Sequence, residues 1–153
     1  LARVLEETGR RADQFILEIT ETVATAATPE ILRRLETVRA MGFRVALDDF
    51  GTGFCGFNSL KTLPIDAIKI DRSYIQSLAE DEVARVFVSA LAQIAHIQKL
   101  VILAEGVETE TDFTLARAAG CTRFQGYLIA RPAPKEAFAH LFHGNAARLA
   151  LAS

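Results

Sequence analysis

Short apolar runs alternate with stretches of helical period along the whole chain, and that alternation limits the fold more than any other feature. Residues 15–21, 43–48, 67–71, 100–104 and 123–126 read as strands, the first as a buried one. Between the first two, Thr28 and Pro29 open a helix, Ile31, Leu35, Val38 and Met41 recur at helical spacing, and Gly42 ends it. Residues 82–98 give the clearest helix, with Val83, Val86, Phe87, Ala90, Leu91, Ile94 and Ile97 as its core-facing stripe. Further helices are predicted before a Gly9 stop, around residues 57–62, from a Thr109 cap to Gly120, and from Pro134 with Phe138, Leu141 and Phe142 on one side. Strands separated by helices, with no hairpin signal between them, must run parallel through crossover connections. The expected class is α/β with a parallel sheet.

The polar residues follow this pattern. Val45-Ala46-Leu47-Asp48-Asp49-Phe50-Gly51-Thr52-Gly53 carries an apolar strand into two adjacent carboxylates and a glycine-containing loop. Strand alternation sends Asp48 and Asp49 to opposite faces. By itself the stretch fits either a polar turn or a site for a hard divalent cation, which takes oxygen ligands. Yet Glu18, Asp48, Asp49, Lys69, Asp71, Glu105, Glu108 and Gln125 all fall at or just past the C-terminal ends of predicted strands. Those ends converge on one face in α/β folds. So many acids would repel one another there without a cation. A divalent-metal site with a nearby lysine is the economical reading. Lys69 and Asp71 are expected on one strand face, with Ile68 and Ile70 packed under helices on the other.

Composition removes several function classes. The net charge of −2 over 153 residues leaves no basic stripe, which argues against DNA binding. Cys55 and Cys121 fit no metal or redox spacing, and a reducing, cytoplasmic setting is expected. The apolar run at 100–104 is too short to span a membrane, so no membrane contact is expected from this segment. The chain opens at Leu1 without a signal peptide and reads as a piece of a longer parent, for which a membrane anchor stays open. His96, His140 and His143 are read as helix-face residues.

Five motifs occur in order: Leu17-Glu18-Ile19-Thr20-Glu21, Asp48-Asp49-Phe50-Gly51-Thr52-Gly53, Ile68-Lys69-Ile70-Asp71-Arg72-Ser73, Ala104-Glu105-Gly106-Val107-Glu108-Thr109 and Gln125-Gly126-Tyr127. Together they resemble the EAL-domain cyclic-di-GMP phosphodiesterases of bacterial signalling, over residues 5–141. The resemblance implies a TIM-like (β/α) barrel whose site lies at the C-terminal face. It implies hydrolysis of cyclic di-GMP to linear pGpG with two ions of Mg²⁺ or Mn²⁺. By motif, Glu18 and Asp48 would be direct metal ligands, Asp49 would serve the second ion or its waters, and Glu105 would complete the shell. Lys69 would hold the attacking water and Gln125 would support it. Glu21 would anchor the loop of Gly51, Thr52 and Gly53, while Glu108 and Asp71 would lie near substrate or behind the ligands. The resemblance also implies a homodimer through the loop after Asp49 and a neighbouring helix, and a sensory or regulatory domain in the parent.

Three departures qualify this. The loop continues Phe54-Cys55-Gly56-Phe57 where relatives usually carry Tyr-Ser-Ser-Leu, and Thr122 stands at a commonly acidic position, altering a substrate-side contact. The Glu-x-Leu motif and a metal-binding Asn, both upstream in the family, do not occur, and the chain is short of the roughly 250 residues of such a barrel. It is therefore read as the C-terminal portion of one domain, a partial barrel lacking its first strands. As an isolated fragment it is expected either to associate through its open edges or to fold loosely, and to be inactive. A catalytically inactive cyclic-di-GMP-binding or protein-interaction module is the alternative, and a Schiff-base lyase using Lys69 is a third.

Overall fold

The computed structural model describes residues 1–53, 56–134 and 136. Helix α1 (Ala2–Thr8) ends at Gly9, and a 3₁₀ turn (Ala12–Gln14) leads into β1 (Ile16–Thr20). Then come α2 (Glu21–Thr25), α3 (Pro29–Ala40), β2 (Arg44–Phe50), α4 (Phe57–Leu60) and β3 (Ala67–Ile70). The described part closes with α5 (Arg72–Ser77), α6 (Glu82–Ile97), β4 (Val101–Ala104), α7 (Glu110–Ala118) and β5 (Arg123–Phe124). All neighbouring strands pair parallel, in the order β1-β2-β3-β4-β5. A parallel sheet in sequential order with helical crossovers is a segment of a (β/α) barrel wall. The final helix expected from Pro134, with Phe138, Leu141 and Phe142, lies outside the described residues, as do Cys55, His140 and His143.

Side-chain parity sorts the strands. Ile68 and Ile70 of β3, with Ile102 and Ala104 of β4, point to the helix-covered face and are at most 2% exposed. They pack with Val45, Leu47, Ile75, Val88 and Leu91 in one core. Burying a side chain of this size contributes about 1.5–3 kcal/mol each. The opposite parity of Ile16, Ala46, Ala67, Val101 and Leu103 lines a concave cavity. Glu18, Asp48, Lys69 and Glu105 continue that parity toward the C-terminal ends. β1 is not a buried strand, because it lies at the sheet edge and Ile16 is 57% exposed.

Helix α6 departs from expectation in a second way. It buries Ala84, Val88, Leu91, Ala92 and Ala95, while Val83, Val86 and Ile97 are 75%, 64% and 78% exposed. Apolar residues occupy both faces of this helix, so period alone could not choose between them. The alanine face wins because small side chains let the helix approach the sheet closely. Asp71 also departs: it lies beyond β3 and caps α5, a helix the sequence pattern did not reveal. Thr122 sits at the entrance of β5 rather than at the C-terminal mouth. There its hydroxyl donates to the Ile102 carbonyl (3.2 Å) and meets the Ile102 N–H (3.3 Å). Its role is to align β5 with β4.

Candidate active site

Alternation should have separated Asp48 from Asp49, and a bulge prevents it. Leu47 pairs with Ile68 but Phe50 pairs with Ile70, so β2 uses one more residue than β3. Asp49 takes the left-handed conformation at φ 53°, one of few non-glycine residues that tolerate it. The strand's alternation is broken there, and a carboxylate oxygen each from Asp48, Asp49 and Glu105 lie within 4.8 Å of one another.

Lys69 stands at the centre. Its Nζ lies 2.6 Å from Asp48 Oδ1, 2.9 Å from Glu18 Oε1 and 3.0 Å from Glu105 Oε1. The side chain is 9% exposed. Burial alone would release the proton, but the three carboxylates outweigh it and hold the ammonium well above its ordinary range. A lysine so held is no amine nucleophile, which removes the Schiff-base reading. In Glu105 and Asp49 burial wins instead. Burial pushes Glu105 above the usual carboxylate range against the pull of Lys69, and the charges of Asp48 and Asp49 add to the rise. Burial and the neighbouring Asp48 and Asp71 raise Asp49 likewise. The mouth is thus short of positive charge even with its lysine. Glu18, half-exposed, joins through Lys69 and is not one of the three close carboxylates.

The loop after Asp49 is held at several points. Glu21, 4% exposed, accepts from the Gly53 N–H at 2.7 Å. Thr52 donates both its N–H (3.3 Å) and its hydroxyl (2.9 Å) to the Asp49 carbonyl. Gly51 has φ 106°, and the Tyr74 hydroxyl donates to its carbonyl at 3.0 Å. On the other side, Val107 N–H donates to the Gln125 carbonyl and Leu128 N–H to the Val107 carbonyl, both at 3.0 Å. Gly126 is required there, since a Cβ would collide with the Val107 backbone. This clasp sets Glu105 and Gln125 on neighbouring strand ends, and Gln125 lines the cavity shared with Glu18 and Lys69.

Two candidates stand apart from the lysine-centred group. Asp71 accepts from the Ser73 N–H (2.9 Å) and hydroxyl (2.5 Å). Although burial raises its pKa, those bonds bring it below the usual range. Glu108 is exposed, with its N–H bonded to Asp112 at 3.1 Å in the cap of α7. Tyr74 was not among the sequence candidates, because a contact spanning 23 positions leaves no local signal.

With this geometry, the comparisons decide the family. A family model described as EAL domain matches residues 1–132. The chain belongs to the EAL domain family. It is 42% identical over 122 residues to the bifunctional diguanylate cyclase/cyclic di-GMP phosphodiesterase MucR of Pseudomonas aeruginosa, covering 80% of this chain and 18% of that protein. Among solved structures, the PaMucR phosphodiesterase in complex with c-di-GMP aligns with TM-score 0.84 and 38% identity, covering 90% of this chain and 56% of that one. A manganese/cy-diGMP complex of Klebsiella pneumoniae BlrP1 aligns with TM-score 0.79 and 30% identity, over 84% of this chain and 33% of that one. The EAL chain thus spans only part of the length of its relatives. Its neighbours' fold agrees with a partial TIM-like barrel.

Proposed function

We propose that residues 1–153 are the C-terminal portion of one EAL domain, and that the complete domain hydrolyses cyclic di-GMP to linear pGpG with Mg²⁺ or Mn²⁺. The observation that carries this reading is the buried ammonium of Lys69 among Glu18, Asp48 and Glu105, with Asp49 beside them. Carboxylates this close, with Asp49 and Glu105 raised above their ordinary range by burial, form a donor set that fits a hard divalent cation. Asp48, Asp49, Glu105 and Glu18 would hold two such ions. When bound, the ions lower the pKa of a coordinated water and stabilise charge on the attacking and leaving oxygens.

The remaining work falls to this chain's own groups. Lys69 stays protonated, so it orients the water and does not take its proton. All three of its N–H donors face carboxylates, and a donor would be free for water where one of those carboxylates served as a metal ligand instead. Gln125 supports the same water from the end of β5. The water oxygen bonds to phosphorus as the bond to the 3′ oxygen breaks. The water's proton passes to a site carboxylate and on to solvent, and the 3′ oxygen takes a proton from solvent and leaves as an alcohol, so that one water is consumed. Asp71 and Glu108 border the substrate, while Glu21, Gly51, Thr52 and Gly53 hold the loop.

A homodimer through the loop after Asp49 and a neighbouring helix belongs to this reading. It is supported by the exposed Val83, Val86 and Ile97 of α6, a helix tied to the start of the loop where its partly buried Phe87 stacks on Phe50 at 6.2 Å between centroids. A sensory or regulatory domain elsewhere in the parent and a cytoplasmic site of action complete it. No helix among the described residues is long and apolar enough to cross a membrane.

The test is to purify the complete protein, follow pGpG formation with Mn²⁺, Mg²⁺ or EDTA, and measure mass by light scattering. EDTA should abolish turnover and Mn²⁺ restore it in a dimer. Binding of cyclic di-GMP without pGpG at saturating metal would support a sensor module instead, and a monomer with full turnover would remove the dimer.

A pH dependence also follows. Asp49 and Glu105 have folded pKa values raised above their unfolded ones. Their contribution to stability is therefore present below the unfolded value and lost as pH rises through the folded value. The metal-free fold is weakened by them at neutral pH, where a cation neutralises them without competition from protons. The rise in Tm caused by Mn²⁺ should be larger at pH 7 than at pH 5. Equal rises would mean that these carboxylates do not bind the ion.

A further inference from the structure

We propose that Tyr74 is a positioning residue for Asp49: its hydroxyl fixes the Gly51 peptide and so keeps the second carboxylate of the pair in the metal-binding group. The inference rests on the metal-site reading above and adds a residue to it from α5. Asp49 is left-handed at φ 53°, a region side chains rarely occupy without help from their surroundings. Help must come from the loop that follows. There, Thr52 holds the Asp49 carbonyl, Glu21 holds the Gly53 N–H, and the Tyr74 hydroxyl holds the Gly51 carbonyl at 3.0 Å. Thr52 thus acts on Asp49 itself and Glu21 on Gly53, and Tyr74 holds Gly51 between those two points.

The ring is fixed as firmly as the hydroxyl. It stacks on Phe87 of α6 with centroids 4.5 Å apart at 25°, and Phe87 stacks on Phe50 of β2. Its edge lies against Gly51, where an added Cβ would be 2.6 Å from Tyr74 Cε2. Gly51 therefore answers two demands, a positive φ and contact with this ring. The tyrosine backbone is set in turn by its N–H bond to the Asp71 carbonyl (3.1 Å) and by the Ser77 hydroxyl on its own carbonyl (3.0 Å). A ring held on both sides aims its hydroxyl at one point. Without that bond the Gly51 peptide can rotate, and Asp49 can relax toward negative φ and carry its carboxylate away from Asp48 and Glu105.

Tyr74→Phe separates aim from packing, because it keeps the ring and removes one oxygen. In the complete protein, Mn²⁺ binding is read directly from the electron paramagnetic resonance signal of free Mn²⁺, beside the Mn²⁺ dependence of pGpG formation and the metal-free Tm. Tyr74→Phe should weaken Mn²⁺ binding about three- to tenfold, the range set by one net hydrogen bond. Its kcat at saturating Mn²⁺ should stay within about twofold of wild type, since the reacting groups are unchanged. Tyr74→Leu, which also removes the ring, should weaken Mn²⁺ binding at least as much. A lower Tm with unaltered Mn²⁺ affinity in Tyr74→Phe would make Tyr74 a packing residue and overturn the proposal. Wild-type protein that binds Mn²⁺ yet forms no pGpG would overturn the hydrolase reading alone, leaving the Tyr74 comparison intact.

Discussion

Asp48→Asn in the complete protein is expected to lower Mn²⁺-dependent pGpG formation by at least about 10², with a parallel loss of Mn²⁺ affinity. Outer partners of metal ligands already cost about 10–100-fold when altered, and a direct ligand should cost no less. Asp48 has two connections that Asn weakens together. It belongs to the three close carboxylates, and it is the shortest partner of Lys69 at 2.6 Å. Asn keeps the shape but offers one neutral oxygen, a poor donor to a hard cation. Its amide nitrogen would also face the ammonium if the side chain were turned the wrong way. Glu18→Gln should lose activity too, with a smaller effect on the metal-free protein, because Glu18 is half-exposed and meets the site through Lys69. Calorimetric titration with Mn²⁺ is the check. Wild-type affinity in Asp48→Asn, with normal turnover, would remove Asp48 from the ligand set.

How the site came to be legible can be seen strand by strand. The acids were visible because each lies where an apolar run ends, and parallel strands bring such ends to one face. The lysine was visible through parity: Ile68 and Ile70 at 0% exposed leave Lys69 no direction but the concave side. The helix caps at Thr28 and Thr109 could be read because a side-chain acceptor next to a helix start has a local cause. Other features depend on contacts that no local pattern carries. The bulge at Asp49 breaks the alternation on which the strand reading rested, and only pairing with β3 reveals it. Helix α5 has six residues, too few for an apolar period to emerge. In α6, alanines and larger apolar residues share the helix, so the buried face was decided by how closely it could approach the sheet.

Lys69→Met has consequences of two kinds, and only one of them should be reversed when Mn²⁺ is added. In the metal-free protein the change leaves Asp48, Glu105 and Glu18 facing one another without the ammonium between them. Removing one partner of a fully buried pair costs about 3–5 kcal/mol. These acids are partly solvated, so a loss of about 2 kcal/mol is the expected scale, less than the buried limit. Lys69 is held above its ordinary pKa, so its stabilising contribution is complete below the unfolded lysine value and lost only as pH rises through the folded one. The destabilisation should therefore persist across neutral pH. It should shrink at acidic pH, where protonation relieves the acids. Mn²⁺ replaces the missing charge, so Tm should recover with metal more in Lys69→Met than in wild type. Catalysis should not recover, because the group that orients the water is gone; kcat should stay lower by at least about 10². Cyclic-di-GMP binding should survive. Thermal unfolding with and without Mn²⁺, set beside kcat in saturating metal, separates the two roles. Full recovery of kcat with Tm would mean that Lys69 serves only to balance charge in the empty site, and the water would need another partner.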